Sequence, residues 1–118
     1  MKTFRTLDLA VEFYGMVERL KLPPHLKDQI LRASSSISLN LSEGNSRFSF
    51  KDKKRLFQIG FGSLRETQTA LKLGKIQDPE ILGVADRLGA CIYKLLMSKE
   101  PGQKPEPGTR SSDMNSES

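Results

Sequence analysis

One continuous run in the second quarter of the chain constrains the fold more than any other feature. Apolar and small residues recur there at intervals of three or four, which is the spacing of one face of an α-helix. The positions are Leu26, Ile30, Ala33, Ile37, Leu41 and Gly44. Inside this run, the stretch SISLNLS at 36–42 alternates apolar and polar residues, as a half-buried strand does. The alternation is short and the helical spacing lasts for about five turns, so length favours a helix.

Proline, glycine and capping residues divide the first 98 residues into four helical segments. Pro23 and Pro24 end the first segment and open the second, because proline is disfavoured inside a helix but accepted in its first turn. The stretch 44–46 (Gly-Asn-Ser) predicts the end of the second segment, since glycine and asparagine tolerate left-handed geometry. Gly74 is a suitable end for the third. The other three helix starts carry side chains that can cap, namely Thr6, Ser49 and Asp78.

Each of the other three segments also carries an apolar stripe at helical spacing. The stripes are Ala10, Phe13, Val17 and Leu20; Phe50, Phe57, Phe61, Leu64 and Leu71; and Ile81, Ala85, Leu88, Ile92 and Leu95. Four amphipathic helices with short connections favour an all-α fold. The predicted architecture is an antiparallel, up-down-up-down four-helix bundle.

Two further patterns concern packing. Small residues follow one side of the third helix and one side of the second, so both helices are expected to approach a neighbour closely along these rows. The rows are Gly60, Ser63, Thr67, Ala70 and Gly74, and Ala33, Ser36, Asn40 and Gly44.

Ile59 and Leu73 point away from the apolar stripe of the third helix. They are either scattered surface residues or a contact with another subunit, and a homo-oligomer is expected.

The composition limits the class of protein. The chain has 118 residues, and we expect one bundle over residues 1–98 and a disordered tail over 99–118, where proline and glycine are frequent and apolar residues are rare. Its single cysteine forms no internal disulfide, and no apolar run is long enough for a signal peptide or a membrane span. A soluble cytoplasmic protein without a membrane contact is expected.

Positive charge is concentrated in one window. Residues 47–75 contain eight basic and two acidic residues, a net charge of +6, whereas the whole chain carries +5. The candidate nucleic-acid-binding residues are Arg47, Lys51, Lys53, Lys54 and Arg55. Together with the unpaired N–H groups of a helix start, they suit phosphate groups. Phe48 and Phe50 lie among them and would stack on bases if exposed, although a solvated charged face is the alternative interpretation and Phe50 suits the core.

Other candidate chemistry is weaker. The stretch 60–62 (Gly-Phe-Gly) resembles part of a phosphate-binding loop, but no strand precedes it and the flanking pattern stays helical. Glu43 and Glu66 would suit an acid–base pair only if the fold brought them together. The alternatives are that Glu43 pairs with Arg47 and that Glu66 fixes helix packing through hydrogen bonds.

No cofactor or metal site is expected. His25 is the single histidine and is predicted to lie on the surface, at the start of the second helix. Cys91 is predicted to be a small core residue beside the stripe of the fourth helix. One histidine and one distant cysteine give no metal-ligand spacing, and no nucleophile–base pair is present, so the protein is not expected to be an enzyme.

Several short motifs carry a family resemblance over residues 4–96. They are Leu7-Asp8, Leu22-Pro23, Gln29-Ile30, Arg32-Ala33, Ser36-Ile37, Asn40, Ser42-Glu43-Gly44, Arg47, Gly62-Ser63-Leu64 and Glu66. In their order and spacing the chain resembles the four-helix-bundle proteins encoded in intervening sequences of bacterial 23S ribosomal RNA. Ser38 departs from the family, which has proline there, so the expected kink is in question.

The resemblance implies an antiparallel bundle assembled as a ring-shaped homopentamer, with no established enzymatic activity. It assigns structural-motif status to Asn40, Glu43, Gly44, Gly62, Ser63 and Glu66. The family is similar in fold to the accessory variability determinant proteins of diversity-generating retroelements, whose basic pentamer binds nucleic acid and a reverse transcriptase. The basic cluster points the same way independently of the resemblance. The leading hypothesis is a non-enzymatic oligomer that binds RNA or DNA through phosphates without reading sequence, with most of the contact supplied by Arg47, Lys51, Lys54 and Arg55. The alternative is a protein-interaction or scaffold subunit.

Overall fold

A computed structural model describes residues 4–99, which fold into four α-helices without a strand. They are α1 (Arg5–Glu18), α2 (Pro24–Asn45), α3 (Phe50–Leu73) and α4 (Pro79–Met97). The all-α prediction is confirmed. The predicted tail, residues 99–118, lies outside the described residues except for Lys99.

The stretch that alternates like a strand is helical throughout. Ile37 and Leu41 are fully buried, whereas Leu39 between them is 68% exposed, as a helix requires of positions that lie 200° apart around its axis. The helix also runs unbroken through Ser38, where the family has a proline. The helical interpretation of residues 36–42 is therefore confirmed.

The four helices surround one apolar core. Contacts join α1 to α2, α2 to α3, α3 to α4 and α4 to α1, so each helix has two neighbours. The residues at the centre are less than 2% exposed and come from all four predicted stripes. They include Phe13, Val17, Ile30, Ile37, Leu41, Leu64, Leu71, Ile81, Leu88 and Ile92.

The small-residue rows of α2 and α3 face each other in the most extensive of the four helix contacts. The Ser36 and Ser63 hydroxyls are 2.8 Å apart at the middle of this contact. Towards one end, a Cβ on Gly44 would lie 2.7 Å from Cε1 of Phe57. Towards the other end, a Cβ on Gly74 would lie 2.6 Å from Cδ2 of Leu22, so the late residues of each helix meet the early residues of the other.

The start of α1 differs from the prediction that Thr6 caps it. Phe4 occupies the N-cap without a side-chain hydrogen bond, and Thr6 is buried inside the first turn. The Phe4 ring lies 6.1 Å from that of Phe57, so an apolar contact fixes this helix start.

The second and third helices end where predicted, at residues 44–46 and at Gly74, but the end of α2 lacks the expected left-handed glycine or asparagine. After α2, Ser46 has right-handed geometry, and Gly44 serves close packing against α3. After α3, the left-handed residue is Lys75 (φ 57°), not Gly74 (φ −81°). The N–H of Ile76 donates to the carbonyl of Leu71 at 3.0 Å, which completes the hydrogen-bond pattern of a Schellman ending.

Candidate nucleic-acid interface

The predicted basic residues come together at one end of the bundle, around the connection between α2 and α3. Arg47 lies in this connection, and the other four lie in the first two turns of α3. The Ser49 hydroxyl accepts a hydrogen bond from the N–H of Asp52 at 3.3 Å, so the predicted cap of α3 is confirmed. The positive end of the α3 dipole and the basic side chains therefore occupy the same place.

Two of the five cations are engaged within the protein. Arg47 forms a salt bridge with Glu43 one turn earlier, which confirms the alternative interpretation of this pair. Lys53 donates from Nζ to the carbonyl oxygen of Asn45 at 3.1 Å and so satisfies an orphan acceptor at the end of α2. The charge of Arg47 is balanced, whereas Lys53 retains its charge next to a neutral carbonyl.

The other three cations are available to an anion to different degrees. Lys51 and Arg55 are exposed and lie one turn apart on the same side of α3. Among residues 4–99, neither has a carboxylate within the 4.0 Å that defines a salt bridge. Lys54 is half-buried, with Nζ 5.0 Å from the centre of the Phe50 ring. Lys51 and Arg55 are thus the most accessible charges of the cluster.

Phe48 is the most unusual residue of this end. It lies in the connection between α2 and α3, and its side chain is fully exposed. Phe50 is half-buried beneath Lys54 and does not belong to the apolar core, so its predicted place in the core is wrong. An exposed aromatic ring among cations is the arrangement used by surfaces that stack nucleic-acid bases and hold their phosphates.

Five of the six structural-motif residues fall into two groups, and the sixth, Glu43, is the exposed salt-bridge partner of Arg47. Asn40 donates to the carbonyl of Ser36 at 2.8 Å, and Ser63 bonds the same serine through its hydroxyl. These two residues, with Gly44, lie in the α2–α3 contact. Gly62 and Glu66 instead lie exposed on α3. Glu66 makes no side-chain hydrogen bond within residues 4–99, so the expectation that it fixes packing is wrong.

The fold does not assemble the carboxylate pair. Glu43 lies beside the Gly44–Phe57 contact, near the loop end of α2 and α3, whereas Glu66 lies beyond the Ser36–Ser63 contact towards the other end. The stretch 60–62 is in the middle of α3, so it is not a phosphate-binding loop. Both results agree with the sequence analysis.

The single histidine and cysteine lie apart. His25 is exposed in the first turn of α2, as predicted. Cys91 is half-buried on α4 and not part of the core, so its predicted place is wrong. Within the described part of the chain, no group of three or more His, Cys, Asp or Glu side chains is placed to hold a metal ion. Nor does any helix between residues 4 and 99 combine the length and apolar character needed to cross a membrane.

Sequence reasoning missed a second surface with aromatic and basic residues, a groove between α3 and α4 that encloses about 430 Å³. Its two walls come from residues far apart in sequence, and no local motif joins them. One signal was present: Tyr93 falls outside the apolar stripe of the fourth helix, on its polar side. The residues of the walls are Phe61, Arg65, Gln68, Asp86, Tyr93 and Lys94.

The fold and the surface together define a four-helix bundle that carries basic side chains and an exposed aromatic ring at the end where α2 connects to α3. A comparison with protein families matches residues 5–78 to the 23S rRNA-intervening sequence protein family. The match covers more than half of the chain, and the chain belongs to this family. It includes α1, α2, α3 and the whole basic cluster, whereas α4 lies beyond it. No curated protein and no solved structure matches the chain.

Proposed function

We propose that this protein is a non-enzymatic homo-oligomer that binds RNA or DNA through phosphate contacts, without reading base sequence. Lys51 and Arg55 supply most of the contact, and Lys53 and Lys54 add to the positive field. The observation that carries the proposal is the grouping of free cations with the fully exposed ring of Phe48 at the start of α3. Membership of a family named for 23S rRNA intervening sequences supports RNA as the first ligand to test.

Phosphate binding predicts a steep dependence on salt. A labelled RNA and a labelled duplex DNA are titrated with the protein at several salt concentrations, and binding is followed by fluorescence anisotropy. The double variant Lys51→Glu, Arg55→Glu should weaken binding to all sequences alike. For duplex DNA, the slope of log affinity against log salt should fall by about 2 for each subunit in contact, because two phosphate contacts are lost.

A matched control separates the site from the overall charge. Lys21 and Arg32 are exposed and lie away from the α2–α3 connection, and Lys21→Glu, Arg32→Glu makes the same change in net charge. This control should keep most of the affinity and the original salt slope. Binding that ignores salt, or an equal loss in both double variants, would contradict the proposed site.

The alternative function is a protein-interaction or scaffold subunit. The large apolar side chains exposed on the outer helix surfaces favour it, since Leu39 and Leu73 are each 68% exposed. By analogy of fold, a reverse transcriptase is one such partner. Negligible affinity for nucleic acid at physiological salt, with a protein partner that co-purifies, would decide for this alternative.

The oligomer is proposed to form through the outer face of α3. Ile59 and Leu73 are 45% and 68% exposed there, and Gly62 lies between them in sequence. Nothing among the described residues lies within 4 Å of a Cβ built on Gly62, so packing within the subunit does not account for this glycine. Glycine inside a helix costs about 1 kcal/mol relative to alanine, and close approach of a second subunit would offset that cost.

A further inference from the structure

The groove between α3 and α4 is open at the surface and combines rings with charges. Phe61 and Arg65 of α3 form one wall, and Tyr93 and Lys94 of α4 form the other. Tyr93 is 54% exposed, which leaves a large part of its ring free. Gly89 of α4 also lines the groove and is buried, and a Cβ built on it would lie 3.4 Å from Cδ2 of Leu64.

The polar groups of the groove form a partly satisfied chain. The Arg65 guanidinium lies 4.6 Å from the centre of the Phe61 ring and donates to Oε1 of Gln68 at 2.9 Å. Gln68 in turn donates from Nε2 to Oδ1 of Asp86 at 3.4 Å. Asp86 therefore faces an amide, and within residues 4–99 it forms no salt bridge with Arg65 or Lys94. The two cations of the groove remain open to an anion.

We propose that this groove binds an unpaired nucleotide of an RNA strand. The base stacks on the ring of Tyr93, and the adjacent phosphate lies between Arg65 and Lys94. The proposal rests on the proposed function and adds a second contact, on a different pair of helices from the basic end of the bundle. Stacking on an aromatic ring tolerates any base, so the site does not require sequence readout.

The chemistry of the walls favours this ligand over the alternatives. A base inside a duplex already stacks on both neighbours, so the face of Tyr93 is useful only to an unpaired base. An apolar peptide would leave Arg65 and Lys94 desolvated without a partner, which is costly. A nucleotide satisfies both the ring and the cations. The volume of about 430 Å³ is within the usual range of small-ligand sites.

The two tyrosines provide a direct test, because the chain has only Tyr14 and Tyr93. Tyr14 lines a separate groove between α1 and α2 and is the internal reference. The full-length protein is labelled with 3-fluorotyrosine, and the two ¹⁹F resonances are assigned with Tyr14→Phe and Tyr93→Phe. The probes are an eight-nucleotide oligouridine and an abasic oligomer with the same number of phosphates.

Stacking predicts that oligouridine shifts the Tyr93 resonance, whereas the abasic oligomer does not, and that Tyr14 is unchanged by both. Tyr93→Ala should weaken oligouridine binding by about 10-fold, since one stacked base is lost. The same variant should leave duplex and abasic binding unchanged. Tyr93→Phe, which keeps the ring, should retain the affinity, and thermal unfolding followed by circular dichroism checks that each variant is folded.

The contrary results are distinct. If oligouridine and the abasic oligomer bind equally and Tyr93→Ala changes neither, the groove is not a nucleotide site. In that case the proposed function stands as long as Lys51→Glu, Arg55→Glu still weakens both probes. If neither probe binds, the nucleotide site is wrong, and the salt titration with the labelled RNA and duplex DNA decides the proposed function separately. If Tyr93→Ala lowers the solution mass of the protein, the groove is a contact between subunits, and the nucleotide site is wrong.

Discussion

Ser36 and Ser38 are close together on α2, but their hydroxyls have opposite surroundings. The Ser36 hydroxyl lies 2.8 Å from that of Ser63 and accepts from Nδ2 of Asn40 at 3.1 Å. The Ser38 hydroxyl is buried and has no hydrogen-bond partner among residues 4–99. A buried polar group without a partner costs about 1–3 kcal/mol, so the same substitution should act in opposite directions at these two sites.

We therefore expect Ser38→Ala to raise the free energy of unfolding by about 1 kcal/mol, because it removes an unsatisfied hydroxyl. Ser36→Ala should lower it by about 1–2 kcal/mol, because Ser63 and Asn40 each lose a partner. Urea unfolding followed by circular dichroism measures both changes. Equal destabilisation by the two variants would mean that Ser38 has a partner in solution.

Single residues also show where sequence reasoning fails. It expected a left-handed glycine or asparagine at the end of α2, although Ser46 ends that helix in right-handed geometry. It assigned the start of α1 to Thr6, although the apolar contact of Phe4 fixes it. In both cases a side chain from another part of the chain is in contact, because Phe57 packs against Gly44 and against Phe4. A local pattern contains no information about such partners.

At the scale of the elements, the α2–α3 contact is the part of the bundle where added side-chain volume should reduce stability most. Gly44→Ala would place a Cβ 2.7 Å from Cε1 of Phe57 and 3.3 Å from Cβ of Leu56. We expect a loss of about 1–3 kcal/mol in the free energy of unfolding, because two well-packed helices would have to separate slightly.

Gly83 on α4 is the matched control for this change. It is also inside a helix, but nothing among the described residues lies within 4 Å of a Cβ built there. Gly83→Ala should therefore raise the free energy of unfolding by about 1 kcal/mol, which is the difference in helix propensity. If Gly44→Ala is instead as favourable as Gly83→Ala, the close approach of α2 and α3 does not occur.

The elements themselves were predictable, for a physical reason. Apolar spacing, paired prolines and the caps at Ser49 and Asp78 act within a few residues, so they are visible in the sequence. The packing of the two small-residue rows against each other was predicted only in part. The sequence indicated that each row approaches a neighbouring helix closely, but not which helix. The groove between α3 and α4 was missed because Arg65 and Tyr93 become neighbours only after the helices pack.

At the scale of the whole molecule, the main prediction concerns assembly. Leu73→Glu should convert the proposed oligomer to a monomer, since it would place a charge in the proposed apolar contact between subunits. Sedimentation or light scattering at micromolar concentration measures the change. The pentamer implied by the family resemblance would have five times the 13.2 kDa mass of one chain.

Leu39→Glu is a matched control for the assembly, because Leu39 on α2 is as exposed as Leu73, at 68%. This variant should keep the mass of the unaltered protein. A monomeric mass for the unaltered protein would contradict the oligomer directly. Dissociation by Leu39→Glu alone would place the contact on α2 and make the proposed interface on α3 wrong.

The basic end of the molecule was predicted from the distribution of charge alone. Which of its side chains are accessible to a ligand was not predicted. The sequence named five candidate cations, and the structure separates Arg47, which is paired with Glu43, from the accessible Lys51 and Arg55. It also left open whether Phe48 was buried. Exposure depends on the path of a short connection in three dimensions, and composition does not determine that path.

The connection that carries Phe48 has a mechanical consequence. It joins the two helices with the most extensive mutual contact, whose alignment is held by Ser36 and Ser63. A force that a bound nucleic-acid strand applies at this connection would act on α2 and α3 together, as on one rigid body. The force would therefore be transmitted to the whole bundle with little local deformation of the connection.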